Sequence, residues 1–79
     1  MITSAQIRAA RAALRMTSLE LATRSGVAQR TIKRLEVSEG VPASHASTLV
    51  ALQSALEAAG IEFIGSPDDG PGIRLRAKS

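Results

Sequence analysis

The chain has 79 residues, a single aromatic in Phe63, no cysteine and a formal net charge of +3; that length admits one domain with a small core, and no disulfide, thiolate chemistry or cysteine-based zinc site is possible. One histidine, His45, cannot assemble a metal cluster or a nucleophile–base–orienter set, so no enzyme, metal or cofactor is expected. Residues 1–36 hold seven Arg or Lys against two Glu, residues 37–70 hold five acids and neither base, and the last nine add three bases; this makes an oriented molecule with one face drawn to polyanions, while apolar runs too short to span a bilayer disfavour a membrane partner.

Thr3 with Gln6, and Thr17 with Glu20, form S/T-x-x-E/Q capping boxes, which predict helices beginning near residues 4 and 18. In the first, Ile7, Ala10 and Leu14 make a narrow apolar stripe, and Arg8, Arg11 and Arg15 recur on an adjacent face. This arginine-rich, acid-free start is similar in composition to an organellar transit peptide. Its stripe, however, supplies about a third of the expected core, and no secretory hydrophobic region is present, so a cytoplasmic protein is expected.

The second helix is predicted over Ser18–Ser25, burying Leu21 and Ala22 with Leu19 at its edge. Gly26 falls where that helix must stop and turn, and glycine takes a left-handed backbone there without a Cβ clash. Ala22 allows close approach of a third helix, which starts near Gln29 and ends by about Val37. Val27, Ile32 and Leu35 lie on its buried side and turn Gln29, Arg30, Lys33 and Arg34 outward. This spacing is a helix-turn-helix signature. A rigidly held helix with amide and cationic side chains outward suits the DNA major groove.

Residues 38–44, punctuated by Gly40 and Pro42, read as a loop, with His45 a surface residue at the next helix start. The fourth helix places Leu49, Leu52, Leu56 and Ala59 inward and stops at Gly60; Val50, Ala46 and Ala58 lie off the stripe, available for a second contact. The period then changes to two. Residues 61–64 and 73–76 flank the turn formers of 65–72 and predict a β-hairpin. Ile61, Phe63, Ile73 and Leu75 form one apolar hairpin face, which must be covered by the fourth helix or by another subunit. The chain thus divides into a helical DNA-binding unit, 1–60, and a hairpin extension, 61–79, expected to serve dimerisation together with the end of the fourth helix.

The residues Met16-Thr-Ser-Leu-Glu-Leu-Ala22, Gly26-Val27, Thr31-Ile32-Lys-Arg-Leu35-Glu36, Pro42 and Thr48-Leu49 resemble the Cro and lambda-repressor (XRE-type) helix-turn-helix regulators, over about residues 4–59. The resemblance implies a mostly α, lambda-repressor-like domain of four helices, here with a short C-terminal β-hairpin. It also implies a bacterial or phage-like transcriptional regulator that binds double-stranded DNA as a homodimer on a palindromic operator. Repression is favoured over activation, since so small a domain has little surface left for polymerase. By position, Gln29 and Arg30 are implied to reach base edges; Lys33 and Arg34, one turn later, either read bases or grip phosphate. Glutamine can pair bidentately with adenine and arginine with guanine.

Phosphate contacts are implied for Arg15, Thr17, Ser18 and Thr31, with the amides at the start of the second helix favouring an anion; Thr31 reads equally well as a half-buried packing residue. Arg11 and Glu36 match an ion pair that joins the first helix to the end of the third, a structural role. The sequence departs from the family at Ser18, where a glutamine often reaches both a phosphate and the first recognition residue; serine is too short for both. It departs again at Ala28, an N-cap without a side-chain acceptor, at a cost of about 1 kcal/mol, and in the longer segment 37–40. The rival reading is a protein-interaction module of the same fold, an antitoxin or anti-activator whose partner is a protein antagonist or toxin. Such a module has no need of Gln29, Arg30, Lys33 and Arg34 outward on a basic face. Neither reading calls for a small-molecule substrate.

Overall fold

Two reciprocal caps start the fold: the Thr3 N–H donates to Gln6 Oε1 (2.8 Å) and the Gln6 N–H to Thr3 Oγ1 (3.1 Å), and Thr17 and Glu20 repeat the exchange at 3.0 Å each way. A computed structural model describes residues 1–76, so Lys78, one of the three terminal bases, lies outside the described residues. Behind these caps run α1 (Ser4–Leu14) and α2 (Ser18–Ser25), followed by α3 (Gln29–Glu36), α4 (Ala46–Ala58), β1 (Ile61–Ser66) and β2 (Asp69–Leu75). The hydrogen bond with the Thr17 backbone, and then that with its hydroxyl, hold the Glu20 carboxyl below its ordinary range. This cap therefore contributes above the ordinary carboxylate range and is lost as pH falls through the lowered folded value.

The helices bury the predicted stripes. Ile7, Ala10, Leu21, Ile32, Leu35, Leu52 and Leu56 are fully buried, with Leu49 and Ala59 nearly so. α2 packs on α3 and α4, and α1 touches α3, α4 and the hairpin. Leu19 departs from its expected edge position and stands 59% exposed, because it lies about 160° round the helix from Leu21, the residue that α2 turns fully inward. Ile2, which carried no periodic signal ahead of the first cap, joins the core.

α1 ends in a Schellman stop: the Arg15 N–H donates to Ala12 O (3.1 Å) and the Met16 N–H to Arg11 O (2.9 Å), with Arg15 in the left-handed region. α2 ends at Gly26 (φ 77°), as its position predicts. α3 starts at Ala28 with no side-chain cap, and α4 at His45, which is exposed and likewise caps nothing.

The hairpin is tighter than its sequence suggests. β1 and β2 pair antiparallel from Ile61↔Leu75 through Ile64↔Gly72 to Ser66↔Asp69, with a bulge between, so that Pro67 and Asp68 alone form the tip. The expected eight-residue turn is mostly strand, since Gly65 (φ 75°) and Gly70 (φ 62°) adopt backbone angles that carry the ladder across the bulge. Its apolar face closes the core of the same chain: Ile61 is 3% exposed, and Phe63 and Ile73 pack against the buried cluster. The Gln6 amide fastens the hairpin to α1, donating to Gly72 O (2.8 Å) and Ile64 O (3.2 Å). Among the described residues, no helix is long and apolar enough to cross a membrane.

Candidate nucleic-acid interface

The turn between α2 and α3 holds three residues, Gly26, Val27 and Ala28, and the Val27 N–H donates to Ser25 Oγ (3.1 Å). Val27 is half-buried, Ile32 and Leu35 are fully buried, and the opposite side of α3 carries Arg30, Lys33 and Arg34 exposed to solvent. Gln29 differs from the outward placement expected for it. Its side chain is half-buried, and Nε2 donates to Ser18 Oγ at 3.0 Å. Serine is indeed too short to reach α3, but the longer glutamine spans the gap from the other side, so the starts of α2 and α3 are tied together. Among the described residues the amide has no further partner for its second N–H or its Oε1, and Ser18 keeps its hydroxyl proton.

That tie sets the rest of the site. Thr17 and Ser18 open α2, Ser18 is bonded to Gln29 at the start of α3, and Arg15 lies two residues before Thr17 in the chain. Thr17 is exposed, but its hydroxyl accepts the Glu20 N–H as the N-cap; Ser18 and Thr31 are half-buried. Gln29, Arg30 and Lys33 follow at offsets of one and three, which places them on one side of α3.

The far end of α3 is held by α1. Ser4 Oγ donates to Leu35 O (2.7 Å), an Arg8 guanidinium N–H donates to Glu36 O, and Arg11 grips Glu36 bidentately, Nε to Oε2 and Nη2 to Oε1, both at 2.7 Å. A third Arg11 N–H reaches Met16 O (2.9 Å), so one guanidinium joins α1, the α1–α2 corner and α3. Glu36 is buried, and its hydrogen bond to Arg11 raises that guanidinium's pKa further above its ordinary value. Residues 4, 8 and 11 share a face of α1, and cations at a helix C-terminus favour its dipole. Sequence reading grouped Arg8 with Arg11 and Arg15 on one face of the first helix and gave it no role of its own. Its carbonyl contact shows an anchor, a role invisible without knowing that the end of α3 lies against α1.

The cations therefore divide into two sets. Arg8 and Arg11 hold α3, Arg74 and Arg76 both pair with Glu62 (3.2 and 2.8 Å), and Arg34 leans onto Ala43 O (3.3 Å) in the α3–α4 loop. Among the described residues, Arg15, Arg24, Arg30 and Lys33 are left with neither hydrogen-bond nor ion-pair partners, and all four are exposed. Of these, only Arg24 lies outside the positions read from the sequence as DNA contacts.

The hairpin residues expected at a dimer contact are largely used within the chain, as described for Ile61, Phe63 and Ile73; Leu75 stands 52% exposed. Leu75 also lines an open groove of about 560 Å³ with Leu14, Met16 and Arg24, behind α2. On α4, Val50 is 54% exposed, with Ala46 and Ala58 also at the surface, so the second contact available to that helix is not made among the described residues. No protein-family model matches this sequence, and no curated protein matches it either.

Proposed function

We propose that the chain is a lambda-repressor-like helix-turn-helix protein that binds double-stranded DNA sequence-specifically and regulates transcription as a homodimeric repressor on a palindromic operator. The observation that carries this reading is the division of the cations: among the described residues Arg8, Arg11, Arg74 and Arg76 are paired internally, whereas Arg30 and Lys33 stand free on α3 next to a glutamine bonded to Ser18. Unpaired cations on one side of a rigid helix suit a polyanion, and an amide held at one N–H by serine retains the N–H and carbonyl that recognise adenine. Arg30 is assigned to a base edge, Lys33 to a base edge or phosphate, and Arg15 and the Ser18 hydroxyl to phosphate. Arg34, engaged with the loop, contributes charge more than readout.

The dimensions agree with a symmetric dimer. The described chain measures 34 × 30 × 19 Å, a size that allows two copies related by a two-fold axis to present their α3 helices roughly 34 Å apart, one DNA turn. With the hairpin face covered within the chain, the dimer contact falls to Leu75 and the outer side of α4. The groove behind α2, apolar at Leu14, Met16 and Leu75, favours a protein-interaction module as the second reading.

Arg30→Ala tests the assignment. Titrated against a bound duplex and its single-base variants, it is expected to lose discrimination at one position of each half-site, about 1–3 kcal/mol. Equal losses on specific and random duplexes would instead make Arg30 a phosphate contact.

A further inference from the structure

Arg15 is the sole described residue other than glycine with a positive φ (φ 53°, ψ 38°). It fills the left-handed position of the Schellman stop that ends α1, where glycine is the usual occupant because any Cβ crowds the following carbonyl. The corresponding stop of α2 has glycine at this place, Gly26. Nothing in the chain's own packing asks for arginine at 15. The residue is exposed, and among the described residues its guanidinium has no hydrogen-bond or ion-pair partner, while Arg8 and Arg11 on the same helix are both engaged with α3. Residues held in sparsely populated backbone regions cluster where the side chain has a use.

The position supplies that use. Arg15 stands three residues before Ser18, which is bonded to Gln29 at the start of α3, so the corner that carries Arg15 adjoins the end of α3 that carries Arg30. We infer that Arg15 is a dedicated phosphate anchor, and that the α1–α2 corner gives up folding stability to keep a cation where glycine would be more stable. The inference rests on the DNA-binding reading and adds to it a trade-off located at one residue.

Three variants separate the backbone from the charge. Arg15→Gly removes both the strain and the cation, Arg15→Ala removes the cation but keeps a Cβ at positive φ, and Arg15→Lys keeps both cation and strain. In thermal melts Arg15→Gly is expected to exceed the parent Tm by about 2–4 °C, half or less of the usual shift per kcal/mol because glycine also loosens the unfolded chain, whereas Arg15→Ala stays at or below it. In salt titrations on a 20-base-pair duplex, both Gly and Ala variants are expected to lower the slope of log K against log salt by about 0.9 and to weaken binding roughly tenfold near 0.1 M salt, with Arg15→Lys close to the parent. An Arg15→Ala slope equal to that of the parent overturns the anchor. A Tm for Arg15→Gly no higher than that of the parent overturns the trade-off. A parent chain that binds no duplex at low salt removes the DNA reading itself, a result distinguishable from either.

Discussion

Glu36→Ala is expected to lower stability by about 3 kcal/mol or more, because it leaves the Arg11 guanidinium partly buried without its bidentate partner. The lower end of the range for broken buried pairs applies, since the Arg11 side chain remains 24% exposed against 8% for Glu36. For a chain of this size, total stability is on the order of 4–12 kcal/mol, so the loss is a large fraction of it, and a Tm drop of roughly 12 °C or more follows. Replacing both partners by apolar residues, Arg11→Met with Glu36→Leu, is expected to recover most of the loss, since neither charge is then stranded. Thermal melts of the parent, Arg11→Met, Glu36→Leu and the double variant form a complete cycle. A Glu36→Ala variant melting within 2 °C of the parent, a tolerance on the order of half a kcal/mol, would make the pair an ordinary solvated contact, and α3 would then lack the clamp assigned to it.

A comparable loss is expected from one methyl group in the hairpin. A Cβ on Gly65 would lie 2.1 Å from Gly70 O and 2.7 Å from Gly70 C, at φ +75°; both obstacles are backbone and cannot rotate away. The strands must part at the bulge, next to the Ile64 carbonyl that Gln6 holds. Gly65→Ala is therefore expected to cost on the order of 3 kcal/mol or more, as overpacking and unfavourable backbone angle combine. Gly70→Ala is the internal control: its φ is also positive, +62°, but nothing lies within 4 Å of the added carbon, so only the backbone cost of about 1 kcal/mol applies. Equal melting temperatures for the two variants would show that the close strand approach at Gly65 does not exist in solution. Hydrogen exchange at the Arg76 amide, bonded to Gly60 O at 2.8 Å, reports whether the hairpin loosens before the helices do.

Local chemistry made most of the architecture legible. Both capping boxes, the Gly26 stop and the α4 stripe are written within single turns of helix, where i to i+3 and i+4 relations decide the conformation. The hairpin lay partly beyond such rules: a run of turn formers reads as one long turn, and the strands continue through it because glycines at 65 and 70 accommodate a bulge that only pairing reveals. The end of α1 was silent, since arginine occupies a place that glycine normally marks.

In the site, the outward placement of Arg30, Lys33 and Arg34 on α3 followed from its period, but the half-burial of Gln29 and the fate of each cation did not. Arg8 could be separated from Arg15 only once the carbonyls ending α3 were seen against α1. The bond from Gln29 to Ser18 spans eleven residues across a turn, and its possibility depends on side-chain reach in three dimensions. The destination of the hairpin's apolar face was likewise open between the chain itself and a second copy, because alternation identifies a face to be covered and never what covers it.

Selection of bound duplexes from a random pool at moderate salt tests the central claim most directly. The account predicts enriched sites with two-fold symmetry, half-sites centred about 10 base pairs apart, and one position in each half-site that becomes indifferent to base identity in Arg30→Ala. A pool that remains random after repeated rounds, or a chain retained only through contacts that Arg30→Ala leaves untouched, would contradict it.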